Sequence, residues 1–245
     1  MNTAEKLQTI AENEQKVYEA GIQQGKQDAY NAFWDAYQNK GARAPSGQFG
    51  GQGWNDASFK PKYDIVPVAG WSGALFQYIE VTDLTAALER AGVTLNTSTC
   101  TSAAGMFQNA KITRCPPLDF SNCRELSTMF ASCSKLETID EIKVSTTLTS
   151  CVNCFNTATK LKNITITGVL ACNGLDFSKN TLLTTASIVS VIEHLSSTAT
   201  GKTATFSQTA VNNMTFPHTS QQSGVTYNSW DEIIATKQNW TISLA

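Results

Sequence analysis

Charged residues, histidines and long apolar runs are all scarce in this chain of 245 residues. Asp, Glu, Lys and Arg together make up 16% of it, whereas roughly 25% is usual for a soluble domain. The formal net charge is -2, which argues against a nucleic acid or an anionic membrane as partner, because both select basic surfaces. The sequence holds no run of about 18 apolar residues, so we expect no membrane span.

Groups that carry catalysis are equally few. The two histidines are His194 and His218, and the sequence shows no nucleophile paired with either one and no two carboxylates framed as acid and base. We therefore expect no enzymatic activity, no cofactor and no metal ion. The first residues, MNTAEKLQTIAENEQ, lack the basic start and apolar core of a secretory signal, so we expect a protein made in the cytoplasm without a signal peptide.

Residues 3–39 carry the apolar spacing of an amphipathic helix. Gly21 and Gly25 interrupt it, and each costs about 1 kcal/mol relative to alanine in a helix interior. Such a helix is marginal alone, so we expect residues 1–40 to form a coiled-coil oligomer or to attach to another protein; packing on its own domain is the alternative. The residues predicted to make these contacts are Leu7, Ile10, Val17, Ile22 and Phe33.

Residues 41–75 are rich in Gly and Pro, which predicts a linker followed by an extended segment. The run Gly50–Gly53 superficially resembles a phosphate-binding loop. It lacks the Lys-Ser/Thr ending and the strand–helix frame of such loops, so we assign it no ligand.

From about residue 93 the chain repeats itself. Met106-Phe107 and Met129-Phe130 lie 23 residues apart, and Cys154-Phe155 follows 25 residues later. Each phenylalanine is followed by a small residue at the third position, then an aliphatic residue, then a further apolar residue. The predicted repeat core comprises Phe107, Phe130, Phe155, Ile112, Leu136, Leu161, Cys115, Ile139 and Ile164.

A period of 20–29 residues with apolar residues at fixed offsets is typical of a leucine-rich-repeat-type solenoid, in which each coil shields the apolar face of the next. We therefore predict an α+β protein: a long N-terminal helix, a short solenoid over residues 76–185, and a helix/strand C-terminal cap over residues 186–245. The cap prediction rests on an amphipathic helix around Ile188–Leu195, a strand at KTATFSQ, a helix capped by Ser229, and a strand through Trp240 and Ile242.

Within the repeats, cysteine exchanges with Leu, Met and Ala at equivalent positions, as a small buried apolar side chain does. Cys151 and Cys154 have CxxC spacing, but no second pair follows at metal-site spacing. Reduced core thiols are the favoured interpretation, with disulfides and metal binding as alternatives. A further echo pairs LDFSNCREL with LDFSKNTLL, and its shared Asp119 and Asp176 fit turn formation better than catalysis.

The phrases MFASCSKLETI and LDFSNCRELSTMF resemble the MF-x-x-C-x-x-L-x-x-I repeats of BspA-like leucine-rich-repeat proteins, over roughly residues 93–185. The segments TAEKLQTIAENEQKVYEAG and GQGWNDASFKPKYDI are similar to the leader of repeat proteins encoded in phages and prophages of gut Firmicutes. The ending GKTATFSQ…ATKQNWTIS is similar to their C-terminal segment. This resemblance implies a bacteriophage virion protein of the tail, baseplate or fibre.

The same resemblance implies partners. Other virion proteins would bind the N-terminal helix, and a host-surface protein or glycan would bind the solenoid. A homo-oligomer is expected, with a trimer favoured. The alternative function is that of a bacterial cell-surface BspA-like adhesin, against which the missing secretory signal counts.

Overall fold

The computed structural model describes residues 75–245, together with eight separate helical positions between residues 15 and 28. The long helix predicted over residues 3–39 falls mostly outside these residues and is not supported by the structure. The predicted linker lies outside them except for its last residue. Also outside the described residues are the five predicted oligomerisation or attachment residues, Leu7, Ile10, Val17, Ile22 and Phe33.

The described residues form a β-solenoid of about four turns with few helices, which confirms the predicted solenoid. In chain order the elements are α1 (Leu84–Ala91), β1 (Arg114–Cys115), β2 (Leu118–Asp119), β3 (Thr138–Val144), β4 (Asn163–Gly168), β5 (Leu175–Phe177), α2 (Thr185–Glu193), β6 (Lys202–Phe206), α3 (Gln208–Asn212), β7 (His218–Thr219), β8 (Thr226–Tyr227), α4 (Trp230–Ala235) and β9 (Trp240–Leu244).

Successive coils pair through short parallel strands. Strand β3 lies in the middle of the first sheet: β1 and β2 pair with its two halves on one side, and β4 pairs along the other side. Strands β5, β6 and β9 form a second parallel sheet, while β7 and β8 form a small antiparallel hairpin. Parallel stacking therefore continues beyond residue 185 into the segment predicted as a cap.

The turns around the repeated phenylalanines are not strands. Thr128 (φ 55°) and Ser132 (φ 62°) flank Phe130 in left-handed backbone, and left-handed residues also flank Phe107 and Phe155. Such angles are uncommon for residues other than glycine. The N–H groups of Thr128, Phe130 and Ser132 donate to carbonyls of the following coil at 2.8–2.9 Å. This ladder holds each turn in its unusual conformation.

The helices begin at local caps that the sequence encodes. The Asp83 side chain accepts a hydrogen bond from the Ala86 N–H at the start of α1, and Thr184 caps α2 in the same way. Ser229 accepts from the Glu232 N–H at the start of α4, as its capping-box spacing predicts. Helix α4 ends at Ala235 rather than near Gln238.

Candidate binding surface

The nine predicted repeat-core residues all lie inside the solenoid, at most 4% exposed. Their three phenylalanines belong to a longer column of stacked rings. Neighbouring ring centroids are 4.6–6.0 Å apart through the column Phe76, Phe107, Phe130, Phe155, Phe177 and Phe206. Each stacked pair contributes roughly 0.5–1.5 kcal/mol beyond its buried area. These residues build the scaffold and are not available to a ligand.

Sequence reasoning missed the two ends of this column. Phe76 precedes Phe107 by 31 residues and Phe206 follows Phe177 by 29, so both fall outside the 20–29-residue spacing or at its limit. The intervals are long because α1 is inserted after Phe76 and α2 before Phe206. The ring column continues because stacking depends on the position in the coil and not on the distance in sequence.

All seven cysteines are buried free thiols in the structure. Two of them do more than fill space, because each lies three residues after a phenylalanine and donates to a carbonyl of the preceding coil. The Cys133 Sγ is 2.9 Å from the Phe107 carbonyl oxygen, and the Cys123 Sγ is 3.1 Å from that of Cys100. Burial raises the pKa of the Cys133 thiol to about 12, so it stays protonated and remains a donor.

The two LDFS segments have the same local turn but different places in the coil. The Asp119 and Asp176 carboxylates each accept from the N–H two residues on, at 2.9 and 2.8 Å. However, β2 pairs with β3 of the first sheet, whereas β5 pairs with β6 of the second. Only Phe177 joins the ring column. The echo therefore reflects a shared turn and not equivalent coils.

Charges on the outside of the coils pair with one another across neighbouring turns. The ion pairs are Lys111–Glu80, Arg114–Asp140, Lys143–Asp119 and Lys162–Glu137, at 2.5–3.0 Å. Most of these side chains are well exposed, so each pair contributes no more than about 1 kcal/mol. The paired charges leave no strongly charged patch to attract an ionic partner.

Helix α2 covers the outer edge of β4, where a strand of the next coil would otherwise pair. The Ser187 Oγ accepts from the Ile164 N–H at 2.9 Å, and the Ser190 Oγ accepts from the Ile166 N–H at 2.8 Å. An unpaired strand edge promotes association with other strands, and buried N–H groups without partners are costly. Two serine side chains thus replace the missing ladder hydrogen bonds.

A cleft of about 170 Å³ lies between this edge and the β7–β8 hairpin. Strand β4 contributes Asn163 and Thr165, the start of α2 contributes Thr184 and two serines, and the hairpin contributes His218 and Ser220–Gln222. The lining carries hydroxyls, amides and one imidazole, and no Asp, Glu, Lys or Arg.

The hairpin wall is held in place by one carboxylate. Glu193, at the end of α2, accepts hydrogen bonds from the hydroxyls of Ser220 at 2.7 Å, Ser223 at 2.5 Å and Tyr227 at 3.0 Å. Burial, followed by the neighbouring Glu193, raises the pKa of Tyr227 to about 12. The Lys237 ammonium donates to the carbonyls of Glu193 and Leu195, where a cation complements the helix C-terminus.

Other candidate chemical groups have structural partners. The His194 Nδ1 lies 2.8 Å from the Ser190 carbonyl oxygen, so this ring is tied to its own helix. Across the described part of the chain, no group of three or more His, Cys, Asp or Glu side chains could hold a metal ion. None of the helices described is long and apolar enough to cross a membrane.

Comparisons with known proteins leave the assignment to these observations. The chain matches no family model, no curated protein and no solved structure.

Proposed function

We propose that this chain is a virion-associated structural protein of a bacteriophage, in the tail, baseplate or fibre, that presents a BspA-like leucine-rich-repeat solenoid to a protein or glycan on the host surface. The observation that carries the proposal is the division of labour in the coils. The repeated apolar residues are consumed in one ring column and its neighbours, and the outward positions carry hydroxyls and amides.

These outward positions are fixed in space, which favours recognition. Asn109, Ser132 and Thr157 occupy the same left-handed position after successive column phenylalanines. The Ser132 N–H is 3.1 Å from the Thr157 Oγ1, so the row is hydrogen-bonded from coil to coil. A rigid row of polar groups loses little conformational entropy when it binds a partner.

The N-terminal segment supplies the second half of the proposal. Residues 1–40 would attach the solenoid to other virion proteins and assemble it as a homo-oligomer, with a trimer favoured by the phage resemblance. Light scattering of the full chain and of Val17→Asp tests assembly, because a buried charge disrupts an apolar helical seam. A multimer that becomes a monomer is expected. A wild-type monomer contradicts the assembly.

The location on a particle is tested with antibodies raised against the folded protein. Phage particles purified on a density gradient should carry immunogold label at one structure, the tail, baseplate or fibre, and the protein should co-sediment with infectivity. Particles without label, together with protein exposed on the surface of cells that produce no phage, would refute the virion assignment and support the alternative, a BspA-like adhesin.

A further inference from the structure

We infer that the cleft between β4 and the β7–β8 hairpin binds one monosaccharide unit of a neutral glycan. This inference rests on the proposed function, in which the solenoid contacts a host surface, and it names the chemical class recognised there. The cleft exists because a helix replaces the strand of the next coil, so a gap opens between the covered edge of β4 and the hairpin.

The groups that face the cleft select the chemistry of its ligand. The side chains of Thr165, His218 and Gln221 line it and make no hydrogen bond to any described residue. They offer a hydroxyl, an imidazole and an amide, which can both donate and accept. An apolar ligand would bury these groups without partners, at a cost in affinity.

Charged ligands fit no better. No Asp, Glu, Lys or Arg lines the cleft, so an anion or a cation entering it would lose hydration without gaining a counter-ion. A neutral molecule rich in hydroxyl groups satisfies the lining instead. The volume of about 170 Å³ lies below the roughly 300–1,000 Å³ of pockets for drug-sized molecules, which limits the occupant to a single sugar ring.

The cleft is also pre-organised. The Gln222 Nε2 donates to the Ile166 carbonyl at 2.6 Å and ties the hairpin to the edge of β4. On its far side the hairpin is held through Glu193. A wall anchored at both ends need not be ordered when a sugar binds, which preserves affinity for a small ligand.

Saturation-transfer NMR on the full chain tests the inference. The probes are the methyl glycosides of glucose, galactose and N-acetylglucosamine, with glucuronic acid and glucosamine as charged counterparts. At least one neutral glycoside should bind with a Kd on the order of 1 mM. Thr165→Val and Gln221→Ala should each weaken it about tenfold, the loss of roughly one hydrogen bond.

The matched controls are Thr203→Val and Gln238→Ala, at exposed residues outside the cleft, which should leave binding unchanged. Absence of transfer from all neutral glycosides overturns the inference, as does equal binding of the charged sugars or equal binding by the cleft variants. Labelled virions without sugar binding would overturn this inference alone. Sugar binding by a protein that is absent from virions would overturn only the virion assignment.

Discussion

Replacing Asn180 with cysteine should not destabilise the solenoid, although it removes a fully buried amide. The Asn180 Nδ2 donates to the Ala158 carbonyl at 2.8 Å, but its Oδ1 is buried and has no hydrogen-bond partner. A buried acceptor without a partner costs about 1–3 kcal/mol. Asn180 lies three residues after Phe177, the same place that Cys133 takes after Phe130.

The magnitude follows from what cysteine keeps and what it removes. In Asn180→Cys the thiol can donate to the preceding coil, as the Cys133 thiol does at 2.9 Å, and the orphaned oxygen is gone. The S–H donor is weaker than the amide N–H, which offsets part of the gain. We expect the free energy of unfolding to rise by about 1 kcal/mol. Asn180→Asp should lower it by more than about 3 kcal/mol, because it buries an unpaired charge.

Urea unfolding of the full chain, followed by circular dichroism and tryptophan fluorescence, measures these differences. The exposed Asn156 provides the matched control, since Asn156→Cys should change stability by less than about 0.5 kcal/mol. A loss of more than about 1 kcal/mol in Asn180→Cys would refute the reasoning. It would show that the amide oxygen has a partner in the folded protein and that the cysteine positions are not equivalent to this one.

Three further outcomes are expected. Phe130→Ala should cost about 3–5 kcal/mol in urea unfolding, because it empties a fully buried site between two stacked rings; a cost below about 1 kcal/mol contradicts the continuous column. Ser190→Ala should cost about 1–3 kcal/mol by leaving the Ile166 N–H unpaired, whereas the exposed Ser134→Ala should cost less than about 0.5 kcal/mol; equal costs would exclude the edge-covering role. Burial raises the pKa of Cys133 from its ordinary value near 9 to about 12, so its stabilising effect is complete below pH 9 and lost as the pH rises toward 12. Melting temperatures should fall less steeply above pH 9 in Cys133→Ser than in the wild type, and parallel curves would show that this thiol does not contribute.

The repeat pattern predicted the scaffold well because a solenoid core is local. Phe107, Phe130 and Phe155 recur at nearly constant spacing, and that spacing places them in one column. The same rule failed where helices lengthen the interval, and Phe76 and Phe206 were missed for this reason. The echo between the two LDFS segments shows the converse, since identical letters specified the same turn at two different places in the coil.

The candidate cleft could not be predicted in this way. Its walls come from residues 163–190 and from residues 218–222, and the latter carry no repeat and no binding motif. Gln221 and His218 are ordinary polar residues in the sequence. Only the hydrogen bonds of Glu193 and Gln222, which span 27 to 56 positions, bring the hairpin against β4.

By itself, the sequence determined that apolar residues recur once per coil, that these coils must stack to bury them, and that cysteines serve the core. One coil cannot shield its own apolar face, so the period alone implies the stack. Only the tertiary structure decided that an α2 serine pair closes the edge of β4 and that the hairpin leaves a polar cleft beside it. Those contacts join segments with unrelated patterns, and their geometry depends on how the coils end and not on how they repeat.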